Sequence, residues 1–214
     1  MRVDFHSHTM WSGDATTTPD EVAEAVAAAA IDVLCVTDHN TINGALALEG
    51  RLPCRVIVGE EVRTHGGEIM GLFLTERIPT GLATLEAARR IRDQGGLVYV
   101  PHPFDATRHH MREPDLVALA DAGLLDVIEV LNAKTSLRHL NEQARVFAAE
   151  RGIAAAAGSD AHVPEAFGAA YVELPDFDGP GAMLEALAEG TAVGHHFDRA
   201  RRWRPRIVPS TRAL

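Results

Sequence analysis

Cysteine, lysine, net positive charge and long uninterrupted apolar runs are all scarce in this chain, and each shortage excludes a class of protein. Only Cys35 and Cys54 occur among 214 residues. The first lies in an apolar stretch that reads as a buried strand, so no disulfide framework is expected and a reducing, cytoplasmic location fits. The formal net charge of -10 excludes a general electrostatic affinity for nucleic acid or an anionic membrane. Any anionic partner must therefore be recruited by a local pocket. The softest run, EVAEAVAAAAIDVLCV, is broken by Glu24 and Asp32 and is not expected to span a bilayer. The N-terminus opens on a strand pattern rather than a basic and then apolar leader, so no signal peptide is expected. Lys134 is the sole lysine.

What is present is a hydrophobic fraction of 46%, enough to bury a substantial core in one domain. In TTTPDEVAEAVAAAA, Thr18 stands as N-cap, Pro19 at the first helical position and Glu21 three residues past the cap, which predicts a helix start. IDVLCVT and RVIVGEEV are nearly continuous apolar runs of the kind found in strands buried on both faces, and GEIMGLFL adds a further strand candidate. GLATLEAARRIRDQGG carries Leu82, Leu85, Ala88 and Ile91 at helical spacing and stops at a glycine pair. LVYVPHP, DVIEVLN, IAAAAGSDAH and AAYVEL then read as strands separated by helical stretches. Six or seven such alternations predict a parallel α/β sheet closed as a TIM-barrel-like barrel.

Polar residues follow almost every buried run. His6 and His8 sit two apart at the end of the first strand, a spacing that aims both imidazoles at one spot. Asp38 and His39 follow the second strand, and Glu60 and Glu61 the third. His102 comes next, then Glu129 and Asn132, and finally Asp160 and His162. In a barrel the C-terminal strand ends converge, so these groups are predicted to share one rim and to bind or orient divalent cations. Asp14, in the loop after the first strand, is a candidate to join them. Each residue taken singly has a structural explanation, such as a turn cap or a hydrogen bond to a carbonyl. Their joint concentration at the ends of apolar runs does not.

These residues resemble the PHP (polymerase and histidinol phosphatase) family of metal-dependent phosphoesterases. DFHSHTMWSGD is similar to the family's opening H-x-H motif with a downstream acid, and VTDHNTINGA, VGEEV, VPHP and GSDAH resemble the four motifs that follow, in the same order. The resemblance runs over roughly residues 2–195, leaving an Arg-rich tail over 196–214. It implies a distorted (β/α)7 barrel with two or three divalent ions, zinc, manganese or iron, at the strand ends. It also implies that His6, His8, Glu61 and Asp160 hold one ion, that Glu61 bridges to a second bound by His102, and that Asp14, His39 and His162 hold a third. Relatives often carry a histidine in the strand after the glutamate motif; here Glu68 lies closest to that place. Asn132 is the counterpart of a further ligand after the next strand.

Such a site implies hydrolysis of a small phosphate ester, with a water shared between ions attacking phosphorus. Asp160, His102 and His162 are the residues expected in the chemistry, the two histidines as proton donors to the leaving group. Asp38 and Glu60 are expected to orient neighbouring imidazoles or to cap turns. Lys134 and Arg138 are candidates for an anionic substrate group, although a solvated helix start is the favoured reading of each. Three alternatives stand beside this reading: a nuclease or phosphodiesterase, an amidohydrolase that would need Lys134 as its bridging lysine, and a module in which the ions serve stability alone. Nucleic acid is disfavoured because no basic, aromatic-interleaved groove precedes the tail. His109 and His110 lie in a loop near His102 and are further candidates to reach substrate.

Overall fold

The computed structural model describes residues 1–197, so most of the Arg-rich tail lies outside the described residues. Fifteen strands and helices follow in order. They are β1 (Arg2–Ser7), α1 (Pro19–Ala28), β2 (Val33–Val36), α2 (Asn43–Leu48), β3 (Arg55–Thr64), β4 (Gly67–Leu72), α3 (Thr84–Asp93) and β5 (Leu97–Val100). There follow α4 (Glu113–Asp121), β6 (Val127–Asn132), α5 (Arg138–Arg151), β7 (Ala154–Gly158), β8 (Ala170–Glu173), α6 (Gly179–Leu187) and β9 (Thr191–Gly194).

Local chemistry sets the helix ends where the sequence places them. The Thr18 backbone N–H donates to Glu21 Oε2 at 2.8 Å, and the Glu21 N–H donates back to Thr18 Oγ1, which closes the capping box ahead of Pro19. Gly152 ends α5 in a left-handed conformation, φ 64°, which a side chain adopts only at a cost.

The sheet runs β7-β6-β5-β4-β3-β2-β1-β8-β9 and curls into a nearly closed barrel. Closure comes from the chain just beyond β7, where the Asp160 N–H donates to the His6 carbonyl at 2.7 Å and the His8 N–H donates to the Ala161 carbonyl at 2.9 Å. At the other end of β1, Arg2 and Val3 pair instead with Glu173 and Val172 of β8. Asp4 fastens the seam. Its buried carboxylate accepts from the Ser159 N–H (2.9 Å), the Gly168 N–H (3.1 Å) and the His6 N–H (3.3 Å).

The expectation of a wholly parallel sheet is corrected in two places: β8 pairs antiparallel with both β1 and β9, and β4 runs against its neighbours. β3 pairs antiparallel with β4, and β4 antiparallel with β5. His65 and Gly66 join β3 to β4 as a tight hairpin, too short for the crossover helix that a parallel neighbour requires. Gly67 completes the turn at φ 127°, a conformation a side chain rarely takes.

One apolar cluster draws on all seven barrel strands, including Val3, Phe5, Cys35, Ile57, Met70, Tyr99, Val127 and Ala156, and therefore marks the barrel centre. Phe5 and Tyr99 stack within it at 6.3 Å between ring centroids. Met183 and Leu187 of α6 belong to the same cluster. A second cluster lies between β3–β6 and helices α3, α4 and α5, and a third packs α1 and α2 against β2. Buried side chains of this size each contribute roughly 1.5–3 kcal/mol relative to exposure, which holds the strands rigid beneath their polar ends.

Candidate metal centre

β1 carries the first pair of imidazoles. Its register against β2 shifts between Asp4 and Ser7, so the chain departs from strict alternation just after Phe5. Phe5 stays in the barrel centre, while His6 and His8 bring their Nε2 atoms to 3.0 Å from one another. Glu61, from β3, places Oε2 at 3.4 Å from His6 Nε2 and 3.2 Å from His8 Nε2. Asp160, beyond β7, places Oδ1 at 3.8 Å and 3.6 Å from the same two nitrogens. All four residues are buried. Ligand distances of about 2.0–2.2 Å put neighbouring donors of a tetrahedral ion roughly 3.3–3.6 Å apart, a spacing that the His6, His8 and Glu61 atoms approach.

Glu61 reaches a second position with its other oxygen. Oε1 lies 3.2 Å from His102 Nε2 yet has no hydrogen-bond partner among the described residues, and it is buried. An acceptor left in this state is costly unless a cation answers it. A third group forms around Asp14, whose Oδ2 lies 3.1 Å from His162 Nε2 and 3.4 Å from His39 Nε2. His39 Nδ1 in turn stands 3.2 Å from Glu61 Oε2 and 4.0 Å from Glu68 Oε1. Among the described residues, the groups whose donor atoms come close enough to share an ion are His6, His8 and Glu61; His6, His102 and Asp160; His8, His39 and His162; and His39, Glu61 and Glu68, memberships that overlap the three sets the resemblance implies without matching them.

Other groups aim these ligands. His6 Nδ1 meets Glu129 Oε1 at 3.1 Å, His8 Nδ1 meets Ser12 Oγ at 2.9 Å, and His162 Nδ1 meets the Asp160 carbonyl at 2.9 Å. In each case the bond leaves Nε2 directed at the cluster. His102 and Asp160 both take left-handed backbone conformations, φ 28° and 50°, in which residues other than glycine are uncommon. Gly158 permits the crowding beneath them, since a Cβ there would stand 2.8 Å from Glu129 Oε1 and 2.8 Å from the His6 nitrogen.

The electrostatics are internally compensated. Burial lowers the pKa of His8 well below its usual value, reinforced by His162 and His39, and burial likewise lowers that of His102. Both imidazoles are thereby kept neutral, the form that ligates. Against the effect of burial, Glu129 and Glu61 raise His6 to about 9, and Glu61 with Asp14 raises His39 to about 8. The carboxylate of Glu61 is held ionised despite burial by His39 and His6, and that of the exposed Asp14 by His162 and His39.

All eight ligand candidates, His6, His8, Asp14, His39, Glu61, His102, Asp160 and His162, are brought together. Glu68 joins their edge, paired to Arg63 at 3.5 Å. Asn132 acts as a brace: its amide donates to Glu129 Oε2 at 2.9 Å and Asp160 Oδ2 at 3.1 Å, while its Oδ1 accepts from the Lys134 N–H. Asp38 does not touch the His39 ring. It accepts from the Thr9 N–H and hydroxyl, at 2.6 and 2.7 Å, and so fastens the loop after β1. Glu60 turns away, as strand alternation from Glu61 requires, and accepts from the Ile78 N–H at 2.6 Å.

A pocket of about 450 Å³ opens over the cluster. Lys134 lines it, with Nζ 3.2 Å from Asp160 Oδ1, whereas Arg138 is exposed at the start of α5 and outside the lining. His109 lines the pocket and His110 does not. Sequence reading missed Arg108, which also lines it and pairs with Asp160 Oδ2. Its loop is braced by Asp105, which accepts from the Arg108 N–H through its carbonyl (2.9 Å) and from the Thr107 and Thr135 hydroxyls through its carboxylate. The only signal was one arginine five residues beyond the VPHP motif, in a stretch without periodicity. Among the described residues, no helix is long and apolar enough to cross a membrane.

Comparison with known proteins places the chain among PHP proteins. A model of the PHP domain matches residues 4–63, and a model described as PHP-associated matches residues 138–192. An uncharacterised protein of Methanocaldococcus jannaschii is 37% identical over 149 residues, which is 62% of this chain and 82% of that protein. A two-domain protein from Bacteroides vulgatus, containing a predicted PHP-like metal-dependent phosphoesterase, has the same fold with a TM-score of 0.73 at 18% identity, over 91% of this chain. This chain spans 65% of that longer protein. A lesion-specific endonuclease from Pyrococcus furiosus aligns with a TM-score of 0.64 at 16% identity, over 88% of this chain and 56% of its own.

Proposed function

Because this chain belongs to the PHP domain family, we propose that it is a metal-dependent phosphoesterase that hydrolyses small phosphate esters. The observation that carries the reading is the approach of His6 Nε2 and His8 Nε2 to one another (3.0 Å), to Glu61 Oε2 (3.4 and 3.2 Å) and to Asp160 Oδ1 (3.8 and 3.6 Å), on or just past three strands. These four residues hold one ion, Glu61 and His102 a second, and Asp14, His39 and His162 a third. Zinc, manganese and iron all suit a set of imidazoles and carboxylates. When bound, such ions activate water near neutral pH and offset the charge that develops on the ester oxygens.

The chain's own residues supply the rest. Arg108 and Lys134 stand beside Asp160 at the pocket wall and are placed to take phosphoryl oxygens, Arg108 in a two-point fashion. Glu61 and Asp160 keep the ions fixed in relation to those cations. His162 has Nδ1 tied to the Asp160 carbonyl, so its Nε2, beside Asp14, is the atom able to pass a proton to the leaving oxygen where no ion occupies that position. The free thiols of Cys35 and Cys54 suit the cytoplasm.

A phosphodiester reading draws on Arg63, Arg108 and His109, which line an open pocket with capacity for a longer chain. One experiment separates the readings: phosphate release from sugar phosphates, nucleotides and histidinol phosphate, set against cleavage of bis(p-nitrophenyl) phosphate and single-stranded oligonucleotides, with zinc, manganese or EDTA. Monoester hydrolysis that EDTA abolishes is expected. Diester cleavage alone would move the protein to the nuclease reading, and tight metal binding without turnover of any ester would make it a metal-stabilised module.

A further inference from the structure

Glu129 is a buried carboxylate that the proposed reaction does not use, and its surroundings are unusual. Four donors converge on its two oxygens. Oε1 faces His6 Nδ1 at 3.1 Å and the Tyr99 hydroxyl at 3.1 Å, while Oε2 accepts from the His102 N–H at 2.8 Å and the Asn132 amide at 2.9 Å. Its bonds reach His6 and His102 directly and Asp160 through Asn132, so three ligands from three strand ends are referred to one side chain.

A carboxylate has no proton to donate, and here that property fixes the position of another proton. Facing Glu129 Oε1, the neutral His6 ring carries its hydrogen on Nδ1. Its lone pair is then on Nε2, the atom at 3.0–3.8 Å from His8, Glu61 and Asp160. We propose that Glu129 is the positioning residue that sets the His6 tautomer, and with it the ability of His6 to bind a cation. The inference rests on the reading of His6, His8, Glu61 and Asp160 as a metal site.

Glutamine at this position tests it sharply. The His102 N–H is a backbone donor that cannot reverse, so the glutamine carbonyl must stay on the Oε2 side and its NH2 must face His6. The Tyr99 hydroxyl can rotate to accept. His6 can accept only by moving its proton to Nε2, which removes the lone pair from the cluster. Shape and burial hardly change.

The test measures zinc and manganese affinity by chelator competition in wild type, Glu129→Gln and Tyr99→Phe, with thermal unfolding in EDTA as the control for folding. Glu129→Gln is expected to weaken binding about 10- to 100-fold, the usual scale for groups that orient a ligating histidine. Tyr99→Phe, which leaves the carboxylate and three donors in place, is expected to stay within about threefold on the same reasoning. Equal affinity in Glu129→Gln and wild type overturns the proposal, as does an equal loss in both variants, which would indicate packing alone. A second readout needs no variant: long-range ¹H–¹⁵N spectra of the zinc-loaded, histidine-labelled wild type are expected to show the His6 proton on Nδ1, and its absence there is a refutation. Failure of the wild type to bind either metal would instead defeat the metal-site reading itself.

Discussion

At the residue scale, the site separates atoms that hold from atoms that aim. His6, His8, Glu61 and Asp160 were legible because each follows a buried run, and strand ends are where a barrel collects its polar groups. Ser12, Tyr99 and Arg108 were not, since a loop serine, a core tyrosine and a loop arginine carry no periodic signal and acquire meaning only from tertiary contacts. Glu129 was visible as a strand-end acid but its four partners were not. Arg138 stands exposed at the start of α5, outside the pocket lining, the solvated helix start weighed for it in the sequence. Arg108 is the residue on which a direct prediction falls. A charge-assisted contact to a phosphoryl group is worth about 1.5–3 kcal/mol, so Arg108→Ala should lower kcat/KM for a monoester about 10- to 100-fold in steady-state assays. Arg108→Lys should restore part of that loss, and metal content by mass spectrometry should stay unchanged.

At the scale of elements, the alternation of strands and helices and the capping box before α1 could be read in advance, whereas the direction of β4 could not. An apolar run has no arrow, and only the two-residue hairpin His65–Gly66 dictates the reversal. The seam between β1 and β7 was equally hidden, because Asp4 reads in sequence as one more polar residue in a strand. Its carboxylate accepts three backbone N–H groups, from Ser159 across that seam, from Gly168 ahead of β8 and from His6 on β1 itself. Each buried donor left without an acceptor costs about 1–3 kcal/mol. Asp4→Ala is therefore expected to destabilise the protein by at least about 3 kcal/mol in urea denaturation, with a parallel loss of metal affinity because His6 and Asp160 lie on either side of the seam. A change within about 0.5 kcal/mol, the usual range for an inconsequential surface site, would show that the seam is held elsewhere.

At the scale of the molecule, protons and metal ions compete for one cluster. His6 and His39 have pKa values raised to about 9 and about 8, in each case against burial, by the carboxylates of Glu129, Glu61 and Asp14. A raised histidine pKa contributes stability that is complete below the unfolded value near 6.5 and is lost as pH rises through the folded value. The metal-free protein should accordingly lose stability between about pH 6.5 and 9. Divalent ions need neutral imidazoles, so their affinity should rise across the same interval. Melting temperatures taken at both ends of that range, in EDTA and in excess zinc, should diverge with pH. Parallel curves would mean that these histidines are not shared between protons and metal.

The reversed β4 gives the rim an unusual source. Six of the ligand candidates, His6, His8, His39, His102, Asp160 and His162, lie at or just beyond the ends of forward-running strands, but Glu68 stands near the start of a backward one, a single residue past the turn. Lengthening that turn by one amino acid would slip the register and exchange Glu68 for a neighbour on the inner surface. In a lineage of such proteins, the simplest way to change the donors offered on this flank is therefore a codon inserted or deleted at the hairpin, with the remaining ones untouched.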